Sequence, residues 1–250
     1  MTQNSERTVF SPRMSASVKI VEKKYLAEET LCLSLEKPER FEYQAGQYVI
    51  LRLPQLKEKG ARASTHAMSL ASAPYQDELL LIMRISQSEF KQTIVALSPG
   101  EMLEIDGPFG SLTFDVGVKP VVLIAGGIGV APFNGMIEQQ VQLGWPRSLT
   151  LFCMDKTPQD MVFLEKFQKI QNQNFTFVPT MTRLNEEEKG WQGERGRITG
   201  ELIQKYVKDA QTAVFYVVGL PEMVESIKEE LVKMGISKDN IKVESFTGYN

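Results

Sequence analysis

A glycine-rich loop after a buried strand is the clearest chemical signal in the chain. The apolar run Val121–Ala125 is followed by GGIGVAP, whose glycines allow a tight turn and a close approach of the backbone to a ligand. Pro132 suits the first turn of a helix, and the free N–H groups of that turn can face a pyrophosphate. A ligand-free strand-to-helix turn explains the same residues, and Pro132 replaces the third glycine of the dinucleotide-binding fingerprint. The candidate contacts are Gly126, Gly127, Ile128, Gly129, Val130 and Pro132.

Two further predicted strands end in residues that could contact the same nucleotide, because ligands of open parallel sheets bind at the carboxyl ends of the strands. The strand Leu149–Met154 is followed by Asp155, which could accept hydrogen bonds from a ribose, and by Lys156, which could instead meet a 2′-phosphate. A solvated charge pair before a turn is the alternative for both. The strand Ala213–Val218 leads into a third group of candidates, which comprises Gly219, Leu220, Pro221 and Met223.

Composition removes several classes of function. The chain has 250 residues, 42% of them hydrophobic and 24% charged, which is enough for one or two globular domains. Its net charge of -3 provides neither the cationic excess that nucleic acid requires nor a basic face for an anionic membrane. Cys32 and Cys153 lie far apart, and His66 is the only histidine. We therefore predict no disulfide framework, no cysteine-ligated cluster and no metal site.

The N-terminal residues 1–17 are polar and lack the apolar segment of a signal peptide. The longest apolar stretch is interrupted by glycines and is too short to span a bilayer. We therefore predict a flexible arm over residues 1–17, no membrane insertion and a cytoplasmic protein.

The elements that must position these residues fall into two halves. Residues 18–116 contain short alternating runs separated by Pro and Gly, which predicts an antiparallel β-barrel with a helix over Glu89–Leu97. Residues 117–250 alternate strand and helix patterns, which predicts an α/β domain with a parallel sheet and, among its helices, one near Val162–Gln171. The charged, Gly-rich segment Asn185–Gly196 is predicted to be a surface loop.

Six short motifs, in this order, resemble the ferredoxin–NADP reductase superfamily over nearly the whole chain beyond the arm. They are HAMSLAS (66–72), LSPG (97–100), GPFG (107–110), GGIGVAP (126–132), VGLPEM (218–223) and ESF (244–246). The resemblance implies a flavin-binding barrel followed by a nucleotide-binding domain, which together pass a hydride between NAD(P)H and the flavin. It favours FAD and leaves FMN possible.

The first motif resembles the family's Arg-x-Tyr-Ser sequence. The resemblance assigns Ser69 to the reactive flavin nitrogen, with His66, Ala67 and Met68 also contacting the cofactor. His66 stands where the family has the arginine that holds the pyrophosphate, and Met68 stands where it has the stacking tyrosine. A neutral imidazole cannot form the bidentate fork of arginine, so we expect weaker flavin binding than is usual in the family. A pH-sensitive role for His66 is a further alternative.

Alignment on LSPG places the family's second phosphate site at the start of the helix near residues 88–93. The candidates there are Ser88, Phe90, Lys91, Gln92 and Thr93. We hypothesise that Lys91 supplies the positive charge that His66 lacks, with Arg84 as a second candidate cation. A solvated helix lysine is the alternative interpretation of Lys91.

The C-terminal motif implies two catalytic residues. Glu244 would be a proton-relay or positioning carboxylate, and Phe246 would cover the flavin face that receives the nicotinamide. The segment Thr247–Asn250 extends beyond this aromatic residue and could alter its movement. Val218 replaces the cysteine that the family places beside the nicotinamide, so no thiol enters the expected chemistry.

The sequence thus predicts a flavoprotein reductase that uses NADH or NADPH, with Asp155 weakly favouring NADH. Its electrons would pass to an external acceptor, such as a ferredoxin, a flavodoxin, an oxygenase component or a diffusible oxidant. The alternative is a non-catalytic family member that acts as a regulatory or interaction subunit, which the changes at His66, Met68 and Val218 favour. A hydrolase that uses His66 and Ser69 is excluded, because the chain has no G-x-S-x-G nucleophile turn.

Overall fold

The computed structural model describes residues 12–115, 117, 119–184 and 190–246. Its first half forms a six-stranded antiparallel sheet in the order β4-β3-β6-β1-β2-β5. The strands are β1 (Met14–Ala27), β2 (Thr30–Glu36), β3 (Tyr48–Arg52), β4 (Thr65–Ser69), β5 (Glu78–Arg84) and β6 (Met102–Phe109). A bridge between Leu70 and Leu81 joins the two edge strands and closes the sheet into a barrel. The predicted barrel is therefore confirmed.

Three short helical segments accompany the barrel: a 3-10 turn (Pro54–Lys59), α1 (Ala61–Ser64) and α2 (Glu89–Ala96). The Ser88 hydroxyl caps α2 by accepting from the Lys91 amide, and the buried Ile94 packs into the barrel core. At the other end of α2, the Lys23 ammonium donates to the carbonyls of Ile94, Val95 and Leu97. These bonds satisfy carbonyls that the helix itself leaves without partners.

The second half is a parallel six-stranded sheet in the order β10-β9-β8-β7-β11-β12. The strands are β7 (Val121–Gly126), β8 (Leu149–Asp155), β9 (Phe175–Met181), β10 (Glu194–Arg195), β11 (Val214–Gly219) and β12 (Ile241–Ser245). The helices are α3 (Ala131–Gln142), α4 (Leu164–Gln168), α5 (Gly200–Tyr206) and α6 (Pro221–Lys233), with 3-10 turns at Gly127–Val130, Ala210–Thr212 and Lys238–Asn240. The chain order reverses beside β7, so the switch point of the sheet lies between β7 and β11.

A continuous apolar core crosses the seam between the two halves. Ala71, Ile82 and Leu112 of the barrel pack in one cluster with Phe133 and Met136 of α3. The Asn134 amide also donates to the Ala71 carbonyl at 2.7 Å. Because apolar burial and a buried hydrogen bond both stabilise this contact, the two halves present fixed walls to one another.

The structure corrects three predictions. β1 begins at Met14, inside the predicted arm 1–17, because residues 14–17 pair with β6 and the Arg13 guanidinium donates to both Asp106 oxygens at 2.9 and 2.6 Å. Glu194–Arg195 forms a strand beside β9 within the predicted loop Asn185–Gly196. The helix expected near Val162–Gln171 is limited to α4, because Phe163 takes a left-handed conformation (φ 64°) that starts the helix there.

Several predicted segments lie outside the described residues. These are positions 1–11 of the arm, residues 185–189 of the loop and the C-terminal segment 247–250. The predicted domain boundary also falls at Val116, which the structure does not describe, and this boundary stays a prediction. Within the described ranges, no helix has both the length and the apolar character that a membrane crossing requires.

Candidate functional site

A cavity of about 420 Å³ opens at the seam between the barrel and the parallel sheet. Its barrel wall is the strand β4 with its neighbour β3, and its opposite wall is formed by the end of β12 and the start of α3. The lining residues are Tyr48, Thr65, His66, Ala67, Met68, Ser69, Ile82, Ala131, Glu244, Ser245 and Phe246. The cavity therefore brings together the first predicted motif and both C-terminal candidates.

Ser69 and Glu244 meet directly across this cavity although 175 residues separate them in the chain. The Ser69 hydroxyl donates to Glu244 Oε1 at 3.4 Å. Burial raises the pKa of the Glu244 carboxyl, and the hydrogen bond from Ser69 partly opposes that shift. A buried carboxyl with a raised pKa holds its proton to a higher pH than an exposed glutamate does, and the neighbouring hydroxyl gives that proton a hydrogen-bonded partner.

Strand pairing explains how Glu244 and Phe246 reach the barrel. β12 pairs in parallel with β11, with Glu244 opposite Val218, and the Phe246 amide donates to the Gly219 carbonyl at 2.9 Å. The ladder therefore continues one residue beyond β12 and carries Phe246 to the cavity. The residue that replaces the family's cysteine, Val218, is fully buried beneath this edge.

His66 lies beside the start of α2, the predicted second phosphate site. Its ring centroid is 5.6 Å from that of Phe90, which is buried on the first turn of the helix. Lys91, the next residue, is also buried, and burial lowers its pKa. The structure thus brings His66, Phe90 and Lys91 into one region, together with Ser88, Gln92 and Thr93 of the same segment.

Met68 has a different environment from the one that the resemblance implies. It lines the cavity, but its side chain is only 6% exposed and belongs to the core cluster of the barrel. Ala67 is the exposed residue of β4. Met68 is thus shared between the barrel core and the wall of the cavity.

The two predicted nucleotide loops converge at the switch point of the parallel sheet. A Cβ atom at Gly126 would overlap the Met223 sulfur, and one at Gly129 would overlap the Val218 carbonyl, so these glycines permit close packing. Gly127 is different, because it has a positive φ of 53° and open space where its side chain would be. Of the three glycines, Gly127 is therefore the one at which a ligand can approach the backbone. Around it lie Ile128 and Val130 of the 3-10 turn, Pro132 in the first turn of α3, Gly219 at the end of β11, and Leu220 and Pro221 at the start of α6.

The sequence predicts Arg84 and Asp155 at two different ligand sites, but in the structure these two residues contact each other between the domains. Arg84 ends β5 and forms ion pairs with Asp155 at 3.9 Å and with Asp160 at 3.3 Å. Burial raises the pKa of Asp155 to about 6. Neither Arg84 nor Asp155 lines the seam cavity, whereas Lys156 is exposed beside them.

Sequence reasoning missed five of the residues that line the cavity: Tyr48, Thr65, Ile82, Ala131 and Ser245. Tyr48 could have been found from strand pairing, because it lies directly opposite Ser69 in the β3–β4 ladder. A second cavity of about 370 Å³ lies between α4, β9 and β10, and none of the predicted site residues lines it.

The seam cavity fits a flat heteroaromatic ring. Its volume lies within the ~300–1,000 Å³ that is common for small-molecule sites. Its walls combine apolar side chains (Tyr48, Met68, Ile82, Phe246) with the hydroxyl of Ser69 and the carboxyl of Glu244. Such a lining suits a ring system with apolar faces and a hydrogen-bonding edge, as a flavin has.

Two family models match the chain in the order of its two sheets. A model described as an FAD-binding domain matches residues 15–113, and a model described as an oxidoreductase NAD-binding domain matches residues 123–229. Together they cover most of the 250 residues. The ligands predicted from the sequence, FAD and a nicotinamide nucleotide, are thereby confirmed.

Two relatives of the chain have names that are consistent with these two domains. The reductase component of propane 2-monooxygenase from Rhodococcus jostii (strain RHA1) is 28% identical over 224 residues, which are 87% of this chain and 59% of that protein. The reductase component DmpP of phenol 2-monooxygenase from Pseudomonas sp. (strain CF600) is 29% identical over 231 residues, which are 86% of this chain and 60% of that protein. The chain thus spans about three fifths of the length of these two relatives.

A solved structure shows the same fold over almost its entire length. The ferredoxin NADP+ reductase from Neisseria gonorrhoeae with bound FAD and NADP has a TM-score of 0.78 at 22% identity, and the match covers 92% of this chain and 98% of that one. The predicted fold class, a barrel followed by a parallel-sheet domain, is confirmed. By its two matched domains and their order, the chain belongs to the ferredoxin–NADP reductase superfamily of NAD(P)H-dependent flavin oxidoreductases.

Proposed function

We propose that this chain is a flavoprotein reductase that takes electrons from NAD(P)H and passes them to an external acceptor. The observation that carries the proposal is the seam cavity, in which Ser69 of the barrel meets Glu244 of the second domain. Bound FAD would accept a hydride from NAD(P)H and then release the electrons to the acceptor. The role of the protein is then mainly to orient the reactants and to manage protons.

Three residues of the cavity have separate roles in orienting the reactants and holding protons. Ser69 holds the reactive edge of the ring, because a hydroxyl can either donate to or accept from a nitrogen whose protonation changes. Glu244 keeps the Ser69 hydroxyl oriented and holds a proton close to that edge. Phe246 covers the cavity on the side of the parallel sheet and moves aside when the nicotinamide enters.

A second group of residues binds the cofactors away from the reacting atoms. His66, Phe90 and Lys91, with the capped start of α2, hold the phosphates of FAD. The backbone at Gly127 and the first turn of α3 hold the pyrophosphate of the nicotinamide nucleotide. Gly219 and the start of α6 support this nucleotide from the neighbouring strand β11, since the two loops converge at the switch point.

The acceptor is a separate redox centre, most simply an oxygenase component or a small redox protein such as a ferredoxin or flavodoxin. The support is that two relatives are reductase components of monooxygenases. The two cysteines of the chain are both buried and cannot supply the four ligands of an iron–sulfur cluster, so the acceptor lies outside the 250 residues.

The absorbance spectrum of the purified protein tests the proposal. We expect a yellow protein, or one that becomes yellow with added FAD, whose absorbance is bleached by NADH or NADPH under anaerobic conditions. Reoxidation by ferricyanide would then show that electrons can leave. A colourless protein that takes up no added FAD would contradict the proposal and favour the non-catalytic subunit.

A further inference from the structure

Arg84 links the two domains at the carboxyl edge of the parallel sheet. It is the last residue of β5 in the barrel, yet its guanidinium reaches Asp155 Oδ1 at 3.9 Å and Asp160 Oδ1 at 3.3 Å in the second domain. The Glu28 amide donates to the Gln159 carbonyl at 3.3 Å in the same region. The contact is therefore a defined junction between the barrel and the loop after β8.

This junction removes the Asp155 carboxylate from the exposed edge of the sheet. Its side chain is only 8% exposed, and its Oδ1 accepts a further hydrogen bond from the Lys156 amide at 3.0 Å. The backbone on either side is also fixed, because the Asp155 carbonyl accepts from the Thr182 amide at 2.9 Å. A carboxylate held in this way beside the Arg84 guanidinium does not reach a ligand on the outer edge.

Among the described residues, two cations lie exposed at the ends of the neighbouring strands. Lys156 and Arg183 are both exposed, and they follow the neighbouring strands β8 and β9. The Arg183 amide donates to the Lys156 carbonyl at 2.9 Å, so the two residues lie side by side at adjacent strand ends. In nucleotide-binding sheets a free carboxylate at this point accepts from the ribose hydroxyls of NAD, whereas a cation accommodates the 2′-phosphate of NADP.

We propose that Arg84 is a specificity-determining residue: it holds Asp155 within the domain seam and thereby makes the chain prefer NADPH to NADH. This inference rests on the proposed reductase function. It reverses the preference for NADH that Asp155 suggests when only its sequence position is considered. Arg84 acts through Asp155, because it holds within the seam a carboxylate that would repel a 2′-phosphate at the outer edge of the sheet.

The test measures kcat/KM for NADPH and for NADH with ferricyanide as acceptor and with FAD in excess. We expect wild type to prefer NADPH, and Arg84→Met to lower the NADPH/NADH ratio of kcat/KM by about tenfold, because Asp155 loses its partner in the barrel and can turn to the solvent-exposed edge, where its carboxylate is ionised. The double variant Arg84→Met/Asp155→Asn should recover a ratio close to that of wild type. Recovery of the ratio separates an effect of charge on specificity from general damage to the interface.

Asp160→Asn is the matched control, because it removes the other carboxylate that pairs with Arg84 and leaves Asp155 paired. Its NADPH/NADH ratio should stay close to that of wild type. A wild-type preference for NADH, an unchanged ratio in Arg84→Met, or equal changes in Arg84→Met and Asp160→Asn would each overturn the inference. None of these results affects the reductase proposal, which fails only if neither nucleotide reduces the bound flavin.

Discussion

The buried carboxyl of Asp155 should make the stability of the protein depend on pH, and Asp155→Asn should remove that dependence. Burial is the largest cause of the rise in its pKa, from 3.8 to about 6. Arg84 and the Lys156 amide oppose the rise, and the nearby charge of Asp160 adds to it. Folding is therefore linked to the protonation of this group.

The direction of the pH effect on stability follows from the pKa of Asp155 in the unfolded chain, 3.8, and in the folded chain, about 6. Below about pH 4 the carboxyl is protonated in both the folded and the unfolded chain, and it contributes no pH dependence. Between about pH 4 and 6 the unfolded chain loses a proton that the folded chain retains, so the free energy of unfolding falls as the pH rises. Above this window wild type carries the whole cost, which is ~3 kcal/mol for a rise of about two pKa units.

Urea denaturation followed by tryptophan fluorescence, with FAD at a fixed excess, measures this cost. The free energy of unfolding of Asp155→Asn minus that of wild type should rise by ~1–3 kcal/mol between about pH 4.5 and about pH 7.5. Asp160→Asn, which removes the other partner of Arg84, is the control for loss of an ion pair. Parallel pH profiles for wild type and Asp155→Asn would refute the reasoning.

Three further predictions concern the cofactors and the proton. Gly127→Ala should raise the KM for the nicotinamide nucleotide, because its Cβ would enter the open space above the loop. Gly144→Ala is the control, because Gly144 also has a positive φ and open space around it. Both variants should lose ~1–2 kcal/mol of stability in chemical denaturation, but Gly144→Ala should leave the KM unchanged. Lys91→Ala should weaken FAD binding in a fluorescence titration, since it removes the cation beside the start of α2, and an unchanged dissociation constant would exclude Lys91 from the phosphate site. Glu244→Gln should slow anaerobic flavin reduction by ~10-fold or more in stopped flow, because an amide cannot hold the proton; an unchanged rate would limit Glu244 to positioning Ser69.

Local patterns in the sequence determined the two kinds of sheet and the loops at the switch point. A strand that must be buried on both faces shows as the continuous apolar run of β7, and the glycines and proline after it predict the turn and the helix that the structure contains. Barrel strands are short and bounded by Pro and Gly, so their existence was also predictable. These features depend on residues close together in the chain, and period and turn chemistry report such local conformations directly.

The packing of the two domains against each other determined which residues of the candidate site face one another. The pairing of Ser69 with Glu244, the closeness of His66 to Phe90 and the ion pairs of Arg84 join segments far apart in the chain. Whether Asp155 faces a ribose or a guanidinium depends on which barrel residue lies opposite it, and no periodicity along β8 contains that information. The side-chain direction of Met68 likewise follows from the register of β4 against β3, which only the closed barrel establishes. The sequence alone therefore specified the elements and most of the chemical groups, whereas long-range packing determined which groups face each other.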